Sequence, residues 1–148
     1  MNKEKAKSIT STIIRAVDHF SVNKTGALLI IERETSLTDI LESGTEIDAV
    51  ITESLLEAVF YPGAPLHDGA CIIRGERMIA AGCVLPLTQN RTLSKDLGTR
   101  HRAGLGITEH SDAIALIVSE ETGFISIAIV GRLSRFLDIK TVEKTLLN

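Results

Sequence analysis

The amino-acid sequence predicts a single α/β domain, built around a mixed, largely buried β-sheet with hairpins and flanked by helices. Three observations carry that expectation. Short aliphatic runs bounded by turn formers, such as Gly26-Ala27-Leu28-Leu29-Ile30-Ile31, have the length and branching of strands covered on both faces. Two pairs of such runs are separated by tight turns, the mark of hairpins. Between them stand stretches whose apolar residues recur at helical spacing.

Taken in order, Ile9, Ile13, Val17 and Phe20 alternate with Lys, Arg and Ser, predicting an amphipathic helix from about residue 5 to 20. Packing on the rest of the domain is its expected use, ahead of a contact between two copies. Residues 26–31 form the first strand. Leu37 to Leu41 make a helical turn, and Ala49-Val50-Ile51 a short strand. Thr52 or Ser54 caps a helix carrying Leu55, Leu56, Val59 and Phe60, which Pro62-Gly63-Ala64-Pro65 ends. Ala70-Cys71-Ile72-Ile73 and Met78-Ile79-Ala80-Ala81 flank a two-residue turn at Gly75-Glu76. Setting Arg74 opposite Arg77 puts Cys71 opposite Ala80 and Asp68 beside Cys83, which separates the two cysteines. A second hairpin joins residues 113–118 to residues 125–130 through Glu121-Thr122-Gly123. Ala103 to His110 make a short helix despite Gly104 and Gly106, and residues 141–147 make a last one. With no repeat, low-complexity tract or linker, one domain is expected over residues 1–148, its first 20 or so being the N-terminal helix.

Composition narrows the function. Apolar residues are 44% of the 148, with no Trp, one Tyr and four Phe, so the core is aliphatic. A formal charge of −3 argues against a nucleic-acid partner, which calls for a broad basic face, but leaves room for an anion held by a few arginines. No run approaches the roughly 18 apolar residues of a membrane span, and there is no signal-peptide profile. A cytoplasmic location is expected. Cys71 and Cys83 lack Cys-x-x-Cys spacing and companion histidines, and read as buried free thiols. The sequons at Asn23 and Asn90 are accidents in that setting.

Three segments have residue types suited to chemistry. Pro65-Leu66-His67-Asp68-Gly69-Ala70 enters a buried strand, so Asp68 stands at the sheet's rim, where a carboxylate can hold a metal or accept a proton. Gly69 and Ala70 are small enough for a ligand to approach the backbone. Alone, this segment reads first as an ordinary Asp-Gly turn, with Asp68 bonding to nearby amides. Leu97-Gly98-Thr99-Arg100-His101-Arg102 sets two guanidinium forks and a hydroxyl just ahead of a helix, a pattern suited to phosphate; its bland reading is a solvated basic turn. Ser119-Glu120-Glu121-Thr122-Gly123 forms the tip of the second hairpin, where Ser119 can donate to phosphate and either glutamate can reach a divalent cation. There is no P-loop, no dinucleotide fingerprint, no zinc spacing and no nucleophile elbow.

Taken together, these segments resemble the diadenylate cyclase domain family over about residues 8 to 135. The family's two signatures stand intact as Asp68-Gly69-Ala70 and Arg100-His101-Arg102, in that order and about thirty residues apart. The flanks Gly26 to Thr35, Pro65-Leu66-His67 and Val118 to Gly123 are also similar. The resemblance implies an enzyme that condenses two ATP molecules into cyclic di-AMP and two pyrophosphates. It also implies that each 3′-hydroxyl attacks the other ATP's α-phosphate across a face-to-face dimer, with Mn²⁺ or Mg²⁺. It implies catalytic roles for Asp68, Gly69 and Ala70. It implies ATP contacts from Leu66, Gly69, Thr99, Arg100, His101, Arg102 and Ser119, and metal contacts from Asp68, His67 and Glu121. Many relatives carry a Tyr where this chain has Val84, so the base would be held here by aliphatic contact. Members of the commonest branch carry membrane helices ahead of the domain, which leaves a membrane-anchored full-length protein compatible with this chain. A non-catalytic nucleotide sensor keeping the same fold is the competing expectation, and an intact Asp68 argues against it.

Overall fold

The structure, a computed structural model, describes residues 2–148. The chain runs α1 (Lys3–Asn23), β1 (Ala27–Ile31), α2 (Thr38–Glu42), β2 (Thr45–Val50), α3 (Glu53–Phe60), β3 (Ala70–Arg74) and β4 (Arg77–Cys83). It continues with α4 (Thr99–Thr108), β5 (Ile114–Val118), β6 (Ile125–Ile129), β7 (Arg132–Leu137) and α5 (Ile139–Leu147). Among the described residues, seven strands form one sheet in the order β2-β4-β3-β1-β5-β6-β7. Only β1 and β3 are parallel; the other neighbours are antiparallel, so the sheet is mixed as expected.

Alternation along the central strands sends side chains into two cores, one on each face of the sheet. Leu29, Cys71, Leu116 and Ile127 pack with Ile13, Val17, Phe20, Leu56, Phe60 and Val142, from α1, α3 and α5. Leu28, Ile30, Ile72, Ala115, Ile117 and Ala128 pack with Ala103, Leu105 and Ile107 of α4. Helices thus cover both faces, which is why the central strands read as unbroken aliphatic runs. Phe20 and Phe60 meet edge to face at 5.6 Å in the first core and fill space the aliphatic residues leave.

Local signals set the helix ends. Asn2 accepts a hydrogen bond from the Lys5 amide at 2.8 Å and starts α1, two residues earlier than the periodicity alone suggests. Thr52, rather than Ser54, caps α3 by accepting from the Leu55 amide at 3.0 Å. α4 begins at Thr99, four residues ahead of the expected start, so the Arg-His-Arg signature lies within its first turn. Gly106 lets that helix lie directly on the preceding loop: a Cβ there would stand 1.9 Å from the Pro86 carbonyl oxygen. The helix-weakening glycine is therefore a packing requirement.

The β3–β4 register differs from expectation. Arg74 does face Arg77 and Ile73 faces Met78, but two bulges add residues to β4, so Ile72 faces Ala80 and Ala70 faces Cys83. Ala70, not Asp68, is the residue opposite Cys83. Gly82, at a φ of +67°, takes the left-handed conformation that the second bulge requires. Both cysteines are buried and free. Burial pushes both thiols upward, Cys71 strongly and Cys83 against an opposing hydrogen bond to Ser43, which favours their protonated forms.

Candidate active site

Because β1 and β3 run against β4 and β5, the starts of the first pair and the ends of the second meet at one rim of the sheet. A cavity of about 560 Å³ opens there, within the usual size of a small-molecule site. Its apolar lining comes from Leu28, Cys83, Val84, Leu85, Leu87 and Val118. Its polar lining has three sources. Asp68 and Gly69 come from the entry to β3, Thr99, Arg100 and His101 from the first turn of α4, and Ser119, Glu120 and Glu121 from the tip of the second hairpin. Three segments far apart in sequence are thus brought to one wall.

Arg100 is the centre of that wall. Its side chain is only 17% exposed, and its Nη atoms stand 3.9 Å from Asp68 Oδ1 and 3.5 Å from Glu120 Oε1. Nη2 also reaches the His67 carbonyl at 3.5 Å, whereas the buried Nε has no hydrogen-bond partner among the described residues. These are long contacts for a guanidinium with five donors, so it is held in place yet under-satisfied. Space for it comes from Gly26, where a Cβ would lie 2.5 Å from Nη1 and 2.6 Å from Cζ.

The helix start adds donors. Gly98 caps α4 without a side chain, and no acidic residue stands in the first turn, so the leading amides of a ten-residue helix lack a capping side chain. Ser119 Oγ accepts from the Glu121 and Thr122 amides at 3.2 and 3.3 Å, which fixes the hairpin tip and leaves its own proton to donate. His101 is buried. Its burial, helped by Arg135 and Arg100 and opposed by Asp96, holds its pKa below the ordinary value and keeps the ring neutral at physiological pH.

Asp68 differs from Arg100 in being 86% exposed, at the mouth of the cavity. His67 Nδ1 lies 2.7 Å from the Ala64 carbonyl, which can only accept, so the proton sits on Nδ1. His67 Nε2 then faces Asp68 Oδ1 at 3.5 Å. Among the described residues no group of three or more His, Cys, Asp or Glu side chains is arranged to hold a metal ion.

Of the residues singled out from sequence, Asp68, Gly69, Thr99, Arg100, His101, Ser119 and Glu121 share the cavity. Four do not line it. Leu66 packs over Gly82, His67 stands beside Asp68, and Ala70 is fully buried in β3. Arg102 is two residues from Arg100 on a helix, about 200° around its axis, and so cannot share the same face. Sequence reasoning missed Gly26, Leu28, Asp96 and Val118. Asp96 accepts from Ser94 Oγ and from Arg135 Nη2, which hold its carboxyl below the usual range, and nothing in its polar loop marked it beforehand.

Fold and cavity together define an α/β domain with a pocket of mixed apolar and charged lining at the sheet's rim. The chain belongs to the DAC family, whose model, described as the nucleotide-binding region of the DisA bacterial checkpoint controller, matches residues 14–133. Similar curated proteins include the diadenylate cyclase CdaS of Bacillus thuringiensis, 46% identical over 122 residues, which are 82% of this chain and 61% of that protein. The cyclic di-AMP synthase CdaA of Bacillus subtilis is 41% identical over 144 residues, 97% of this chain and 53% of that protein. The chain thus spans between half and two thirds of these relatives' length. A crystal structure of a double mutant of DacA from Staphylococcus aureus superimposes with a TM-score of 0.92 at 45% identity, covering 94% of this chain and 93% of that one. Among the described residues no helix is long and apolar enough to cross a membrane.

Proposed function

We propose that this chain is a diadenylate cyclase domain, occupying residues 1–148, that converts two ATP molecules into cyclic di-AMP and two pyrophosphates. One observation carries the reading: a single cavity gathers Asp68 from one family signature, Arg100 from the other and Ser119 from the hairpin tip. The under-satisfied Arg100 and the open start of α4 suit the oxygens of a triphosphate. The apolar lining around Val84, Leu85 and Leu87 suits a purine base, with Leu66 and Gly69 shaping the ribose end from behind.

In this scheme Thr99, Arg100 and Ser119 orient the triphosphate and offset the charge that builds at the α-phosphorus as pyrophosphate leaves. Neutral His101 supports that turn from beneath, and Arg102 contributes charge at longer range. Asp68 orients the attacking 3′-hydroxyl and favours loss of its proton. Its exposure at the mouth fits a hydroxyl brought by a second copy, since one chain with one ATP lacks the other reactant. Two copies therefore face each other during turnover. Gly69, on the lining, leaves that mouth open, and Ala70 anchors the start of β3 beneath it.

The residues present fit a divalent cation, Mn²⁺ or Mg²⁺, held by few side chains and completed by phosphate and water. Asp68 and His67 Nε2 already face one another, and Glu121 lies on the same wall. Such an ion would supply Lewis-acid stabilisation of phosphate charge and lower the pKa of the hydroxyl. The reading implies no nucleic-acid partner and a cytoplasmic site of action, whether the domain acts free or behind a membrane anchor.

The test is chromatography of nucleotides after incubating the chain with ATP and Mn²⁺ or Mg²⁺. Cyclic di-AMP and pyrophosphate are expected. An unchanged ATP peak with both metals, alongside tight ATP binding, would instead make the protein a nucleotide sensor.

A further inference from the structure

Among the described residues, four carboxylates, Asp68, Asp96, Glu120 and Glu121, line the cavity, against one guanidinium, Arg100. That balance is unusual for a pocket meant to receive a polyanion. Glu120 is the carboxylate nearest to Arg100, at 3.5 Å from Nη1. Its side chain is 67% exposed, and this ion pair is its one polar contact among the described residues. The turn beneath it is held by Ser119, whose Oγ accepts from the Glu121 and Thr122 amides. The carboxylate can therefore swing away without unfolding the turn. Glu121, its neighbour on the same wall, makes no ion pair with Arg100.

We infer that Glu120 is a resident counter-ion of Arg100, which an incoming triphosphate displaces, and that it biases the pocket toward nucleotide already carrying a divalent cation. The inference rests on the nucleotide reading above and adds a residue to it. Free ATP brings about four negative charges to a wall with a net excess of carboxylates, and Glu120 both repels it and competes for the guanidinium. A bound cation cancels much of the ligand's charge, so the same competition matters less. Glu120 acts through Arg100 and is a positioning residue.

Calorimetric titrations of wild type and Glu120→Gln separate the alternatives. ATP is used in EDTA, and 3′-deoxy-ATP, which lacks the attacking hydroxyl, is used with Mg²⁺. Glu120→Gln should tighten ATP binding in EDTA by about three- to fivefold, the upper size of one lost exposed ion pair, and change binding with Mg²⁺ less than about twofold. Glu121→Gln, which removes the same charge without touching Arg100, should give the smaller gain in EDTA. A purely structural role would instead weaken both titrations together. If wild type binds nucleotide while Glu120→Gln binds equally or more weakly in EDTA, the counter-ion role is overturned and the nucleotide reading stands. Wild type that binds in neither buffer overturns the reading and the inference with it.

Discussion

Arg100 sits where it does because residue 26 has no side chain. Its guanidinium occupies the volume a Cβ would take, with the Asp68 and Glu120 carboxylates loosely around it. Gly26→Ala is therefore a test of geometry with charge held constant. The obstructed atoms are the far end of a flexible side chain, so the fold should survive while the guanidinium moves. ATP affinity, read by titration with Mg²⁺ and 3′-deoxy-ATP, should fall about tenfold, or ~1.4 kcal/mol, with a nearly unchanged urea midpoint. Unaltered affinity would remove Gly26 from the site. At this scale the sequence was only partly legible. Asp68 and Arg100 stood inside recognisable signatures, whereas Gly26 carried no mark of the atom it makes room for. Arg102, equal to Arg100 in the sequence, was separated from it only by the helical start at Thr99.

Elements were legible where their residues carried their own punctuation. Aliphatic runs placed β1, β3, β5 and β6, and Gly75 placed the first hairpin turn. β7 was missed. Its exposed and half-buried residues alternate through Arg132-Leu133-Ser134-Arg135-Phe136-Leu137, as on an edge strand with one wet face, so no apolar run announces it. Its entry is equally disguised: Val130 and Gly131 both have positive φ, the two-residue hairpin turn in which Val is an unfavourable first residue. β2 was seen only at its end because most of its residues are exposed. The start of α3 had two candidate caps in sequence, and geometry chose between them. Thr52→Ala should lower the unfolding free energy by about 1 kcal/mol in urea denaturation, and Ser54→Ala should leave it within about 0.5 kcal/mol. Equal losses in both variants would contradict the assigned cap.

For the molecule as a whole, composition and pattern gave the correct class, a mixed sheet covered on both faces, but not the order of its strands. That order depends on β5 pairing with β1 over a long stretch of intervening chain, information that hairpin signals do not contain. The order matters for function, because it brings the entry to β3, the start of α4 and the end of β5 to one rim. The proposed chemistry divides that rim into a buried guanidinium for phosphate and an exposed carboxylate for the hydroxyl of a second nucleotide. The division can be separated by substitution, since the two residues differ so much in burial. The most direct test measures ATP affinity and cyclic di-AMP formation on the same preparations of wild type, Asp68→Asn and Arg100→Ala, with Mn²⁺ present. Asp68→Asn should bind ATP within a few-fold of wild type and form no cyclic di-AMP, whereas Arg100→Ala should lose at least about tenfold in affinity. Full turnover by Asp68→Asn, or equal loss of binding in both variants, would contradict the account.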